Sequence, residues 1–270
     1  MNIFFTGHKG FLGRELIPEL EKVVKIHKFT GDLLDIKKVE SFIKVNSIDR
    51  ILHAAARGGR RIKEDSPRIL AENFAVSINI SSFGLPTIYF CSGAIYGRQT
   101  SINGYSENRA SERYPEDYYG QSKYLTREIL ISDPRATFLR FFNVFGQSEG
   151  LDRFISYNLN QYINRAPMKV FKNFYMDFFF SKNTLPVLQK WINNENLPKE
   201  INMVFGKKYT LLDICNMINT LDSHVVPIEI DSCEKGNDYY GDGSQLEKLQ
   251  LPLLDLNSSL KVVYKSMLSS

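Results

Sequence analysis

The apolar run Ile3-Phe4-Phe5 stops at Thr6 and gives way to glycines. A run that short reads as a buried strand, Asn2–Thr6. The period then changes. Leu12, Leu16 and Leu20 recur every fourth residue, which predicts a helix over Phe11–Lys22 with one apolar face. Alternation over Lys22–Phe29 predicts a second strand, Asp35–Val45 a helix, and Arg50–Ala55 a short apolar strand. Pro67 suits the first turn of a helix reaching about Phe83. Thr87–Cys91 reads as a strand, Gln121–Ile131 as a helix and Thr137–Phe142 as another strand. Strands and helices alternating at this pace imply βαβ units and a parallel sheet.

Past about residue 146 the rhythm is lost. A helix is expected over Phe154–Asn164, short strands at Lys169–Phe171 and Asp177–Phe180, and a helix over Leu211–Thr220. Five prolines, at 167, 186, 198, 227 and 252, punctuate this half. Two units are therefore expected: residues 1–146, and residues 147–270 as a smaller lobe with some segments returning to the first.

Bulk properties narrow the class. The chain has 270 residues, 43% of them hydrophobic and 24% charged, with a net charge of +4, which is ordinary for a globular enzyme. The densest cationic stretch, RGGRRIKEDSPR from Arg57 to Arg68, is interrupted by acids and reads as a solvated loop or a small-anion site. Nucleic-acid readers carry a stronger basic stripe. No apolar run approaches the ~20 residues of a membrane span, and Met1–Phe5 reads as core strand rather than leader. Three cysteines without pairing pattern suit a reducing cytoplasm. Neither they nor the four histidines suggest a metal site.

Three local constellations carry chemistry. Gly7, Gly10 and Gly13 recur every third residue between a strand and a helix. That setting lets the backbone approach a pyrophosphate while the helix N-terminus points free N–H groups at it. Tyr119 and Lys123 lie four apart, on one helical face. Ser92 ends an apolar strand, on the side of a parallel sheet where ligands bind.

Together with Gly31-Asp32-Leu33-Leu34-Asp35, His53-Ala54-Ala55-Ala56 and Leu139 through Gly146, these motifs resemble the extended short-chain dehydrogenase/reductase superfamily. The likeness is to its branch of nucleotide-sugar epimerases, dehydratases and reductases, and within that to GDP-fucose synthase, dTDP-4-dehydrorhamnose reductase and CDP-paratose synthase. It implies a Rossmann-type doubly wound parallel sheet with a small C-terminal α/β substrate lobe. By that resemblance the catalytic residues are Ser92, Tyr119 and Lys123. A dinucleotide would be held by Gly7, Lys9, Gly10, Phe11, Leu12, Gly13, Lys28, Asp32, Leu33, Ala54, Ala55, Asn73, Tyr119, Lys123, Phe142 and Val144. Ser92, Gly93, Ala94, Tyr119, Asn143 and Arg153 would meet a nucleotide-diphosphate sugar, and the enzyme is expected as a cytoplasmic homodimer.

Tyr119 would supply a proton and Ser92 would hydrogen-bond the carbonyl oxygen. An unperturbed tyrosine titrates near ~10, so activity near pH 7 calls for stabilising its anion by about 4 kcal/mol, a task that falls to Lys123 and the oxidised nicotinamide. Lys9 and Lys28 are the candidates to meet a 2′-phosphate, so NADP is expected, with NAD as the alternative.

Departures from the family pattern matter as much. Gly93-Ala94 stand where dehydratases carry Asp-Glu. Ala94 and, approximately, Arg153 replace the cysteine and histidine with which GDP-fucose synthase epimerises its sugar. Met176 and Tyr239 stand where arginines grip the diphosphate, with Arg153, Arg165 or Lys235 as substitutes. The expected activity is reduction of a 4-keto group on a nucleotide-activated deoxysugar, in surface-polysaccharide precursor synthesis, and dehydration is not expected; an NAD-retaining epimerase and a non-catalytic Rossmann subunit are the alternatives.

Overall fold

The computed structural model describes residues 1–59 and 65–269. The centre of the cationic stretch, residues 60–64, lies outside the described residues.

The strands are β1 (Asn2–Thr6), β2 (Lys25–His27), β3 (Arg50–His53), β4 (Thr87–Ser92), β5 (Ile102–Tyr105), β6 (Ala136–Phe141), β7 (Val144–Phe145), β8 (Met168–Lys172), β9 (Phe179–Phe180), β10 (Glu200–Met203), β11 (Ile228–Ser232) and β12 (Tyr239–Gly241). The helices are α1 (Phe11–Leu20), α2 (Ile36–Val45), α3 (Pro67–Ser82), α4 (Tyr118–Leu130), α5 (Phe154–Ile163), α6 (Thr184–Ile192), α7 (Leu211–Ile218), α8 (Ser244–Glu247) and α9 (Leu256–Leu268).

Six parallel strands form the central sheet in the order β10-β6-β4-β3-β1-β2. Side chains of β1 alternate between its faces. Ile3 and Phe5 pack in one core with Leu16 and Leu20 of α1 and Val187 and Leu188 of α6. Phe4 packs in the other, with Val39 of α2, Ile80 of α3 and Leu130 of α4. This is a Rossmann-type, doubly wound α/β fold, and its strand order reverses between β1 and β3. The segments leaving those two strands diverge there and open a crevice at the carboxyl edge of the sheet.

A smaller α/β part follows. β8 pairs with β11, β7 with β9 and β12 with β5, all in parallel. The last pairing returns Tyr239–Gly241 to the neighbourhood of the main sheet. β10 comes from beyond residue 147 yet forms an edge of that sheet, against β6.

The second strand is shorter than its alternation predicts. Val23 and Val24 donate their N–H groups to Leu20 O and continue the turn that ends α1, leaving only Lys25–His27 to pair with β1. The expected strand at Asp177–Phe180 also contracts, to Phe179–Phe180, because Asp177 N turns to Tyr239 O.

Candidate active site

The glycines lie at the crevice. Gly7 has φ +77°, and a Cβ there would meet Ala55 N at 2.8 Å, so only glycine lets the ends of β1 and β3 come this close. A Cβ on Gly13 would lie 2.4 Å from His8 O. Gly10 caps α1 with no side-chain hydrogen bond, which leaves the N–H groups of the first turn, beginning at Phe11 and Leu12, as donors for an anion. A pyrophosphate fits this cradle.

Cations gather beside it. Burial lowers the His8 pKa, and the charges of Lys9 and Lys28 lower it further. Lys9 is exposed, whereas Lys28 is ion-paired to Glu21 at 2.7 Å. Asp32 is exposed and its carboxylate accepts Leu34 N at 3.0 Å, while Leu33 packs against the core.

The loop leaving β3 is pinned from below. Ala55 N donates to Thr6 Oγ1 at 3.2 Å. Buried His53 sits between Thr6 Oγ1 and Ser77 Oγ, and burial, aided by the charge of Lys123, pushes its pKa down to about 3, so the ring is neutral. Asn73 on α3 accepts Arg57 N and donates to Arg57 O, both at 2.9 Å. Its carboxamide is thus engaged in holding the loop after Ala54-Ala55.

Ser92 ends β4, and its Oγ accepts Ala94 N at 3.2 Å at the start of a 3-10 turn, Gly93–Tyr96. Tyr119 and Lys123 face it from α4. Lys123 is 7% exposed, its Nζ lies 5.8 Å from the Tyr119 ring centroid and donates to Phe90 O at 2.9 Å. Burial pushes the Tyr119 phenol well above its ordinary pKa, abetted by Cys91 and Tyr239 and opposed by a hydrogen bond with Ser92 and the charge of Arg98. Burial lowers Lys123. Desolvation thus dominates the shift of the phenol, and Lys123 directs one ammonium hydrogen bond to a backbone carbonyl.

Phe142 fills a slot bounded by two glycines. A Cβ on Gly93 or Gly241 would come within 2.7 Å of its ring, which also contacts Tyr96 and Tyr239. Val144 follows in β7, half-buried. Asn143 Nδ2 donates to Asp177 O at 3.1 Å, stitching the strand end to the smaller lobe. Ala94 is fully buried.

Met176 and Tyr239 bridge each other and are both buried. Beside them, Lys208 holds Asp177 through both carboxylate oxygens at 3.0 Å. Burial nonetheless pushes Asp177 up to about 6, against the opposing charge of Lys208. The sequence reading missed Lys208, which lies 31 residues from its partner with no motif to link them. Of the cations it did name, Lys235 is paired with Asp238 and Arg165 follows α5 with φ +55°. Arg153 caps α5, is 40% exposed, and reaches Glu149 at 3.4 Å. Glu149 is pushed up to about 7, chiefly by burial, and its Oε2 has no hydrogen-bond partner.

One further buried acid escaped sequence reasoning. Glu15, on α1, accepts Ser148 N at 2.5 Å and Ser181 Oγ at 2.6 Å, tying the helix behind the glycines to the loop before Arg153. Among the described residues, no cluster of His, Cys, Asp or Glu is arranged to hold a metal, and no helix is long and apolar enough to cross a membrane.

A parallel sheet with a glycine cradle at its switch point and a Ser-Tyr-Lys group at its carboxyl edge defines a dinucleotide-binding class of protein. The sequence matches the NAD dependent epimerase/dehydratase family over residues 3–204, and the chain belongs to that family. Among curated proteins the search finds no match. Solved structures that share the fold span its reactions. A GDP-mannoheptose C4 reductase from Campylobacter jejuni with NADP bound has TM-score 0.83 and 17% identity, covering 98% of each chain. A UDP-glucose 4-epimerase from Thermotoga maritima with UDP-glucose has TM-score 0.82 and 17% identity over 100% of this chain and 99% of that one. A dTDP-glucose 4,6-dehydratase from Bacillus anthracis with NAD has TM-score 0.82 and 14% identity over 100% and 97%.

Proposed function

We propose that this protein is an NADPH-dependent reductase of the 4-keto group of a nucleotide-activated deoxysugar. The observation that carries the reading is the convergence of Ser92, Tyr119 and Lys123 at the carboxyl edge of the sheet, with buried Ala94 rather than an acid–base residue beside Ser92. Gly7, Gly10, Gly13 and the first turn of α1 would hold the pyrophosphate, and Lys9 and Lys28 the 2′-phosphate. When bound, the cofactor supplies a hydride. Tyr119 Oη donates a proton to the carbonyl oxygen, and the Ser92 hydroxyl donates a hydrogen bond to the same oxygen as its charge grows. Lys123 keeps the phenol in place and orients the nicotinamide ribose.

The cationic side of the cradle has a direct consequence. NADPH is expected to bind more tightly than NADH. Lys28→Glu, which removes a cation and repels phosphate, is expected to narrow the preference by about tenfold, or 1.4 kcal/mol. Fluorescence titration of both cofactors checks this, and an unchanged ratio would remove Lys28 from the phosphate site.

Incubation with a panel of nucleotide 4-keto-6-deoxysugars and NADPH, followed by product identification, tests the activity. Tightly held NAD that does not exchange, with no net oxidation of NADPH, would favour the epimerase instead. In deuterated water, a simple reduction is expected to leave C3 and C5 free of enzyme-dependent deuterium. Glu149 gives the opposite outcome a candidate: a carboxyl pushed up to about 7 beside Arg153 has the chemistry of an acid–base group. Deuterium at C3 or C5 that disappears in Glu149→Gln would assign epimerisation to it.

A further inference from the structure

Arg98 lies just past the Ser92 turn, after Gly97, whose φ of +76° redirects the chain. Its guanidinium is 16% exposed and makes three directed hydrogen bonds. Nε and Nη2 form a fork on the two carboxylate oxygens of Asp117, at 3.0 and 2.9 Å, and Nη1 donates to Gly59 O at 3.2 Å. Both partners bear on Tyr119. Asp117 caps α4 two residues before it, accepting Gly120 N at 2.8 Å. Gly59 lies against the phenol itself: with φ +83°, a Cβ there would be 2.9 Å from the ring. Asp65 holds the same glycine through its N–H at 3.0 Å.

Tyr119 is thus held between a helix cap and a loop, and one planar cation joins the two. Arginine suits this task because its donors lie in a rigid fork, whereas lysine offers a single flexible ammonium.

We propose that Arg98 is the positioning residue for Tyr119, clamping the Asp117 cap of α4 to the Gly59 carbonyl beside the ring and so fixing the phenol against Ser92. This rests on the reading of Tyr119 as proton donor. In this role Arg98 acts through Tyr119, by way of Asp117 and Gly59.

The test uses the full chain with labelled tyrosine and two variants, Arg98→Met and Arg98→Lys. The Tyr119 ring resonance is identified by its absence from Tyr119→Phe. In Arg98→Met that resonance is expected to move or broaden, while NADPH affinity stays at the wild-type level. Turnover of dTDP-4-keto-6-deoxyglucose is expected to fall in kcat by up to about 10²-fold, the effect of a misplaced reacting group, with KM little changed. Arg98→Lys keeps the charge but cannot bridge both partners, so it is expected to recover the melting temperature but not kcat. An unmoved Tyr119 resonance, or wild-type kcat in Arg98→Lys, overturns the proposal. If Arg98→Met does not fold, the lysine variant decides. If wild-type protein turns over neither this sugar nor any other nucleotide 4-keto-6-deoxysugar of the panel, the functional reading fails, and the resonance alone decides the role of Arg98.

Discussion

Tyr119→Phe is expected to lower turnover by about 10²–10⁴, the usual cost of losing a general acid, and to leave cofactor affinity unchanged. The phenol lies close enough to Ser92 for the serine to oppose its pKa shift, and removing one oxygen leaves the ring packed against Gly59. Lys123→Ala is expected to behave differently, weakening both turnover and NADPH binding, because the proposed function gives that side chain a part in both. Steady-state NADPH oxidation and a binding titration on the two variants separate these effects. Normal turnover by Tyr119→Phe would mean that the reaction takes place elsewhere on the protein.

The second large effect is on stability. Fully buried Arg140 is ion-paired to Glu200 and also donates to Tyr96 Oη and Asn202 Oδ1. Arg127 closes a fork on the same carboxylate at 2.9 and 2.7 Å. Glu200→Gln leaves a buried cation without its counter-charge and is expected to cost about 3–5 kcal/mol. Burial opposes ionisation of Glu200, but the hydrogen bond from Arg127 and the charge of Arg140 outweigh it and hold its pKa below the ordinary 4.5. As pH falls, the unfolded chain takes up this proton first. The contribution is therefore complete above about pH 4.5 and is lost as pH falls through the lower folded value. Urea unfolding at neutral pH and along an acid series checks both points. The variant should start less stable and lose less on acidification. Equal stability at pH 7, or equal acid sensitivity, would contradict the assignment.

What was legible in the sequence is local. The glycine spacing, the four-residue separation of Tyr119 and Lys123, and the serine at a strand end are short-range patterns, and the structure brings all of them to one edge of one sheet. Residues that depend on distant partners left no such trace. Lys208 finds Asp177 across 31 positions, Arg98 finds Gly59 across 39, and Glu15 finds Ser181 across 166. On a helix pattern Glu15 is merely a polar residue among leucines. Only the return of the smaller lobe over α1 makes it a buried acceptor. Strand ends were also misjudged, because a turn at Val23-Val24 looks like the start of an alternating strand until its hydrogen bonds are known.

The edge position of β10 bears on how the chain is made. When the ribosome has released residue 146, β6 has no outer neighbour and Arg140 has no carboxylate. Both arrive with Glu200–Met203, several seconds later at about 5–20 residues per second. Through that interval the nascent protein presents an unpaired parallel edge, a template for pairing with other chains. Completion of the sheet is thus a late event in synthesis, because its outer strand is encoded more than fifty residues after β6.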